Sequence, residues 1–136
     1  MPERHVVSTF ISLVESGQFI DALQRFYHPD AIVWENLWQS RIGLDALIEN
    51  ERLVLNRFTT VTAHAAQVVV DGDRVVINWR FEFSSDNAHT TLDEVAVQQW
   101  VDGKIVYERF YYDPAQLQPE AVGPAAHEDA REAAAQ

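Results

Sequence analysis

The stretch 90–113, TTLDEVAVQQWVDGKIVYERFYYD, restricts the fold of this chain more than any other. Two runs rich in β-branched and aromatic residues flank Asp102-Gly103. The first carries Val95, Val97 and Val101, and the second Ile105, Val106, Tyr107, Phe110, Tyr111 and Tyr112. Asp-Gly between such runs favours a two-residue turn with positive φ at both central positions, whose twist matches paired strands. The spacing predicts a long hairpin, and the side chains on the side it curves around are the expected functional ones.

Upstream of the hairpin the hydrophobic period is helical. Val6, Val7, Phe10, Ile11, Leu13 and Val14 predict a helix over 2–16, with Pro2 and Glu3 suited to its first turn and Gly17 to its end. Phe19, Ile20, Leu23, Phe26 and Tyr27 continue the period into a short second helix closed by His28-Pro29. A short strand over 31–36 and a polar loop containing Trp38 follow. A third helix is predicted over 43–58, with Leu44, Leu47, Ile48, Leu53, Val54, Leu55 and Phe58 as its apolar stripe and Glu49, Glu51 and Arg52 as its solvated face. From Thr59 the period becomes two: strands over 59–70 and 74–84 are joined by Asp71-Gly72-Asp73, and the chain then turns into the hairpin. Helices first and strands afterwards argue an α+β domain, with helices covering one face of a curved antiparallel sheet. That domain is expected over 1–117. Residues 118–136, rich in Pro, Ala and Glu, read as a polar tail with a marginal helix over 127–136.

Composition narrows the function classes. A chain of 136 residues with 47% hydrophobic content can bury one sizeable core. No apolar run is long enough to span a bilayer, and the start MPERHVV lacks an apolar signal region. Cysteine is absent, which removes disulfides and thiolate chemistry and fits a cytoplasmic protein. The formal charge of −11 repels phosphate backbones and anionic lipid, so neither nucleic acid nor membrane is an expected partner. The five histidines lack metal-ligand spacing, and no phosphate loop or nucleophile elbow occurs, so no metal or cofactor is expected.

The element order resembles the nuclear transport factor 2-like superfamily, and within it the SnoaL-like, polyketide cyclase-like branch. The phrases that carry the resemblance are Phe26-Tyr27-His28-Pro29-Asp30-Ala31 and Asp102-Gly103-Lys104-Ile105 with Arg109, Tyr111 or Tyr112, and Asp113. It implies a cone in which the sheet wraps the long third helix, an α+β barrel of the cystatin-like kind. It also implies an apolar pocket between sheet and helices that binds a small hydrophobic molecule. A homodimer through the outer sheet face is implied as well.

Candidate site residues follow from strand alternation and from this resemblance. Asn78, Arg80 and Glu82 share one face of their strand, opposite Ile77, Trp79, Phe81 and Phe83. That polar row either faces water or, by similarity to limonene-epoxide hydrolases, enters the pocket with Asn36 to position a water. In that comparison Trp34 stands in the place of a tyrosine and Phe110 in the place of the second acid. Similarity to ketosteroid isomerases instead makes Glu35 the general base, with Phe10 and Ala96 at the positions of the oxyanion donors. Neighbouring side chains of a regular strand point to opposite faces, so one of Glu35 and Asn36 should point inward. Glu108 is the only acid inside the last strand, on the face of Phe110 and Tyr112; its alternative is an ion pair with Arg80 or Arg109. Asp93 and Glu94 are a neighbouring pair of which one at most should face the pocket, and they read as surface. Trp34 and Trp38 suit either a flat ligand at the pocket mouth or plain packing.

Two functions remain open at this point. The first is a SnoaL-like small-molecule enzyme doing cofactor-independent acid–base chemistry: cyclisation, isomerisation or hydration. It would use Glu35, Glu82 and Glu108 as acids or bases, Arg80 and Asn36 as orienting groups, and Trp34, Trp38, Asn78, Phe110 and Tyr112 as ligand contacts. The second is a non-catalytic dimeric module binding a hydrophobic metabolite.

Overall fold

The computed structural model describes residues 2–117 and 120–121. Three helices pack on a curved mixed sheet: α1 (Arg4–Glu15), α2 (Phe19–Phe26), β1 (Tyr27–Glu35), β2 (Arg41–Ile42), α3 (Leu44–Arg57), β3 (Thr60–Asp71), β4 (Arg74–Ser85), β5 (Ala88–Val101), β6 (Lys104–Tyr111) and β7 (Glu120–Ala121). A short 3-10 helix, Pro114–Leu117, lies between β6 and β7. The sheet order is β2-β1-β6-β5-β4-β3, with β7 on β5. All pairings are antiparallel except that of β1 with β6. The expected α+β cone is present, but its sheet is mixed and does not close into a barrel.

The opening hairpin forms at the expected place. Asp102 and Gly103 have φ of 51° and 76°, the left-handed pair the turn demands, between β5 and β6. A Cβ at Gly103 would meet nothing within 4 Å, so a substitution there costs conformational energy without a clash. Gly103→Val should destabilise the protein by about 1–2 kcal/mol, measured by urea unfolding; an unchanged midpoint would show that the turn tolerates another geometry.

Alternation along β5 places Ala88, Thr90, Leu92, Glu94, Ala96, Gln98 and Trp100 inward and buried. The β-branched residues that mark the hairpin in the sequence, Val95, Val97 and Val101, therefore point to the outer face. At the narrow end Trp100 is fully buried and packs edge-on against Phe10, with Phe26 beside both. Val7, Phe10 and Val14 of α1 and Phe19, Ala22 and Phe26 of α2 bury the faces that their 3–4 spacing defines. This end is the solid core of the domain.

Three local differences from expectation matter for the site. Strand β1 begins at Tyr27 rather than Ala31, and its pairing with β6 shifts register between Tyr27 and Ile32, so Pro29 interrupts no ladder bond. The loop after β1 yields a two-residue strand, β2, which pairs Arg41 with Val33 and faces Arg41 inward. Helix α3 fully buries only Leu47. Much of its apolar stripe faces open space rather than packed side chains, and that space is the cavity described next. The predicted tail lies outside the described residues apart from 120–121, where β7 pairs with Ala88 and His89 of β5.

Candidate functional site

A cavity of about 170 Å³ opens between α3 and the inner face of the sheet. Apolar cavities of ~150 Å³ take up benzene, so this one has room for a ligand of one or two rings. Helix α3 contributes Leu47, Asn50, Glu51, Val54 and Phe58, a strict i, i+3, i+4, i+7, i+11 face. The sheet contributes Val33 and Glu35 of β1, Phe81 and Phe83 of β4, Thr90, Leu92 and Glu94 of β5, and Glu108 and Phe110 of β6. Tyr27, Arg41, Tyr112 and Leu117 complete the wall. A smaller cavity of about 90 Å³ adjoins it toward α1 and shares Tyr27, Glu51 and Glu108.

Four carboxyl groups enter this apolar space with a single guanidinium, and each stands in a different environment. Glu35 faces inward because β1 alternates regularly through Ala31 and Val33. Its Oε2 lies 3.2 Å from Nη1 of Arg41. Burial raises the Glu35 pKa and the guanidinium opposes the rise. Glu108 is 1% exposed and accepts two hydrogen bonds: one from the Tyr27 hydroxyl at Oε1, and one from Gln98 Nε2 at Oε2 over 2.6 Å. Gln98, itself fully buried, accepts from Trp100 Nε1 at 3.0 Å. Burial lifts Glu108 to about 7 against those two donors. Glu51 is also lifted to about 7, by burial and then by the charge of Glu35. Glu94 is 7% exposed; its backbone carbonyl accepts from Asn78 Nδ2 at 3.2 Å, but its carboxyl has no hydrogen-bond or ion-pair partner among the described residues. Burial, then the charges of Glu35, Glu108 and Glu51, push its pKa well above the carboxylate range.

The other sequence candidates are distributed differently. Asn36 takes positive φ (51°) and ends β1; its N–H donates to the Phe110 carbonyl and its Oδ1 accepts from Tyr112 N–H at 3.0 Å. It ties two strand ends together while Glu35 takes the inward position. Asn78, Arg80 and Glu82 lie on the outer face, because Ile77 and Trp79 occupy the inner one at 0% and 2% exposure. Arg80 is exposed, and Glu82 has His89 3.8 Å away. Trp34 is also outside, under the Arg109 guanidinium at 4.9 Å, and Trp38 packs edge-on against Tyr112. Phe110 and Tyr112 do line the cavity, as expected. Glu108 is hydrogen-bonded to Tyr27 and Gln98 rather than ion-paired with Arg80 or Arg109.

Three site residues escaped the sequence reading. Glu94 was placed on the surface and Glu51 on a solvated face; both corrections follow from periodicity. Glu94 is in phase with Leu92, Gln98 and Trp100 along β5, and Glu51 is four residues from Leu47 and three from Val54. Arg41 had no such signal, since a two-residue strand has no period to read. Among the described residues no group of His, Asp and Glu is arranged to hold a metal, and no helix is long and apolar enough to cross a membrane.

The SnoaL-like domain model matches residues 7–108, three quarters of the chain. The chain belongs to the SnoaL-like family. Solved structures agree at the level of fold. A SnoaL-like polyketide cyclase from Jannaschia sp. CCS1 superposes with a TM-score of 0.75 at 18% identity, over 90% of this chain and 94% of that one. TerC, co-crystallised with polyporic acid, gives 0.69 at 19% identity over 82% and 91%. An epoxide hydrolase of the LEH-like kind from M. tuberculosis gives 0.67 at 16% identity over 82% and 83%. No curated protein sequence matches the chain significantly. At these identities the structures speak for the SnoaL-like architecture alone.

Proposed function

We propose that this SnoaL-like protein is a small-molecule enzyme that moves a proton on a hydrophobic substrate without a cofactor. The observation that carries the reading is the unequal pair Glu35 and Glu94 in one apolar cavity. Glu35 has the cation of Arg41 beside it, which opposes the rise that burial causes; Glu94 has no such cation, and burial with three neighbouring carboxyls raises its pKa well above the ordinary carboxylate value. Two titratable groups whose environments push them apart in this way suit general acid–base catalysis. Glu35 accepts a proton from carbon next to a carbonyl, or from an attacking water, while Glu94 donates to the substrate oxygen as charge develops there. Glu108, fixed by Tyr27 and Gln98, is a second base candidate at the inner end of the cavity. An isomerisation, a cyclisation and a hydration all use this division of labour, and the sister structures include both a cyclase and an epoxide hydrolase. A direct test uses β-tetralone in deuterated buffer, with α-proton exchange followed by NMR. Exchange well above the buffer rate, abolished by Glu35→Gln, supports the reading; exchange that the variant leaves intact removes Glu35 from it.

The second reading concerns assembly. Registers across the outer face align Trp34, Arg109, Val97, Val76 and Val69 in one row. Val95, Val101 and Tyr111 are exposed around it. Arg109 Nε is buried without a hydrogen-bond partner among the described residues, and its guanidinium rests on the rings of Trp34 and Tyr111. A second copy packed on this face would cover the apolar row and supply an acceptor for Arg109. Light scattering should show a dimer that Val97→Lys converts to a monomer. A monomeric wild-type protein at micromolar concentration would sink the dimer.

A further inference from the structure

The carboxyl groups of the cavity outnumber what acid–base chemistry needs. Glu35 is paired with Arg41, and Glu108 accepts from two donors. Glu51 remains. It sits at the middle of the α3 face, beside Asn50 and Val54, and its side chain has no hydrogen-bond or ion-pair partner among the described residues. Across from it the inner face of β5 presents Glu94, its carboxyl also unpartnered and the residue more than nine-tenths buried. Asn50 adds a side-chain amide, acceptor and donor both, on the same helix face. No cation is left over here, because the guanidinium of Arg41 is already engaged with Glu35.

We infer that the ligand of this cavity is a hydrophobic molecule carrying a basic amine, whose ammonium is received by Glu51 with the Glu94 carbonyl oxygen and Asn50 as further acceptors. This rests on the cavity being a ligand site, as proposed above, and adds the substrate class. An ammonium supplies a charge-assisted donor to Glu51, and it relieves the repulsion among the carboxyls that this apolar space holds together. A ligand carboxylate would add a further acid to the same space and is disfavoured. A neutral alcohol can bond one carboxyl but leaves the charge of Glu51 uncompensated.

The test compares three probes with one skeleton: phenylbutylamine, phenylbutanol and phenylbutyrate, titrated into the full chain by calorimetry at neutral pH. The amine should bind about tenfold or more tighter than the alcohol, the worth of one charge-assisted hydrogen bond, and the carboxylate weakest of all. In Glu51→Gln, where glutamine keeps helix propensity and shape, the amine should fall to the level of the alcohol while alcohol affinity holds. Equal affinity for amine and alcohol in the wild type overturns the inference, and so does an amine preference that survives in Glu51→Gln. Absence of binding by all three overturns it together with the reading of the cavity as a ligand site. Amine preference without β-tetralone exchange leaves this inference standing and sinks the acid–base one; exchange without amine preference does the reverse.

Discussion

Replacing Glu35 by Gln should slow α-proton exchange on β-tetralone by about a hundredfold or more, the usual worth of a positioned general base. Glutamine keeps the shape and the approach to Arg41 and removes only the basic oxygen, so loss of rate with retained ketone binding isolates the proton transfer. Glu94→Gln should cost less in affinity than in rate, because an amide can donate a hydrogen bond to the ketone oxygen but cannot release a proton. The pH profile separates the two roles. The base works only when ionised, so the rate rises with pH through the Glu35 pKa, which burial places above the ordinary carboxylate value. The acid works only when protonated, so the rate falls again as Glu94 ionises at its raised pKa. The expected profile is a bell whose two limbs both lie above the ordinary carboxylate value, and Glu94→Gln should erase only the basic limb. A profile that rises without limit would mean that hydroxide does the work, and the cavity merely binds.

The second large effect is on stability. Glu51 and Glu108 are lifted from 4.5 to about 7 in the folded protein, and Glu35 and Glu94 are raised as well. Between the unfolded and folded pKa values the native state holds protons that the unfolded chain has released. Stability must therefore be full below the unfolded carboxylate pKa and decline as pH rises toward and past about 7. At ~1.4 kcal/mol per pKa unit, Glu51 alone contributes a loss of up to about 3 kcal/mol, reduced where water enters the cavity. Urea unfolding at about pH 5 and about pH 8 should show the protein less stable at the higher value by a few kcal/mol. Glu51→Gln should recover about 1–3 kcal/mol at the higher pH and almost nothing at the lower. Because Tyr27, Arg41 and Tyr112 face the same space, the control is needed to separate this cavity from the general repulsion of a chain with charge −11. Equal stability at the two pH values would mean that the carboxyls are solvated in the native state.

On the proposed acid–base reading, the buried carboxyls have a use that offsets their cost to folding. A carboxyl in water has a pKa near 4 and is useless as a proton donor at neutral pH; burial under an apolar helix face raises it. On that reading the cavity exchanges stability for chemistry. Ligand binding should return part of it, since any group that bonds Glu94 or Glu51 offsets their desolvation.

The sequence by itself determined the elements and most of their order. Residues with strong local signals came out in place: the Asp102-Gly103 turn, the 3–4 periods of α1 and α2, and the long alternating strands. Local backbone preferences and one-face burial are properties of a few neighbouring residues, so they can be read without the rest of the chain. The inward phase of Glu51 and Glu94 is itself a local property, since each lies in register with apolar neighbours on its own element. What only the tertiary structure decided is which side of each strand looks inward and what meets there. Phase alone cannot say whether Asn78, Arg80 and Glu82 or Ile77, Trp79 and Phe81 face the helix, because a polar row suits a pocket as well as water. The packing of Trp100, Ile77 and Trp79 under α1 and α2 settled it. Arg41 reaches Glu35 through a two-residue pairing that no local pattern announces. The 90–113 hairpin, strongest of the sequence signals, thereby acquires two distinct faces: Glu94 and Glu108 toward the cavity with Gln98 bonded to Glu108, and Val95, Val97 and Arg109 toward the outside.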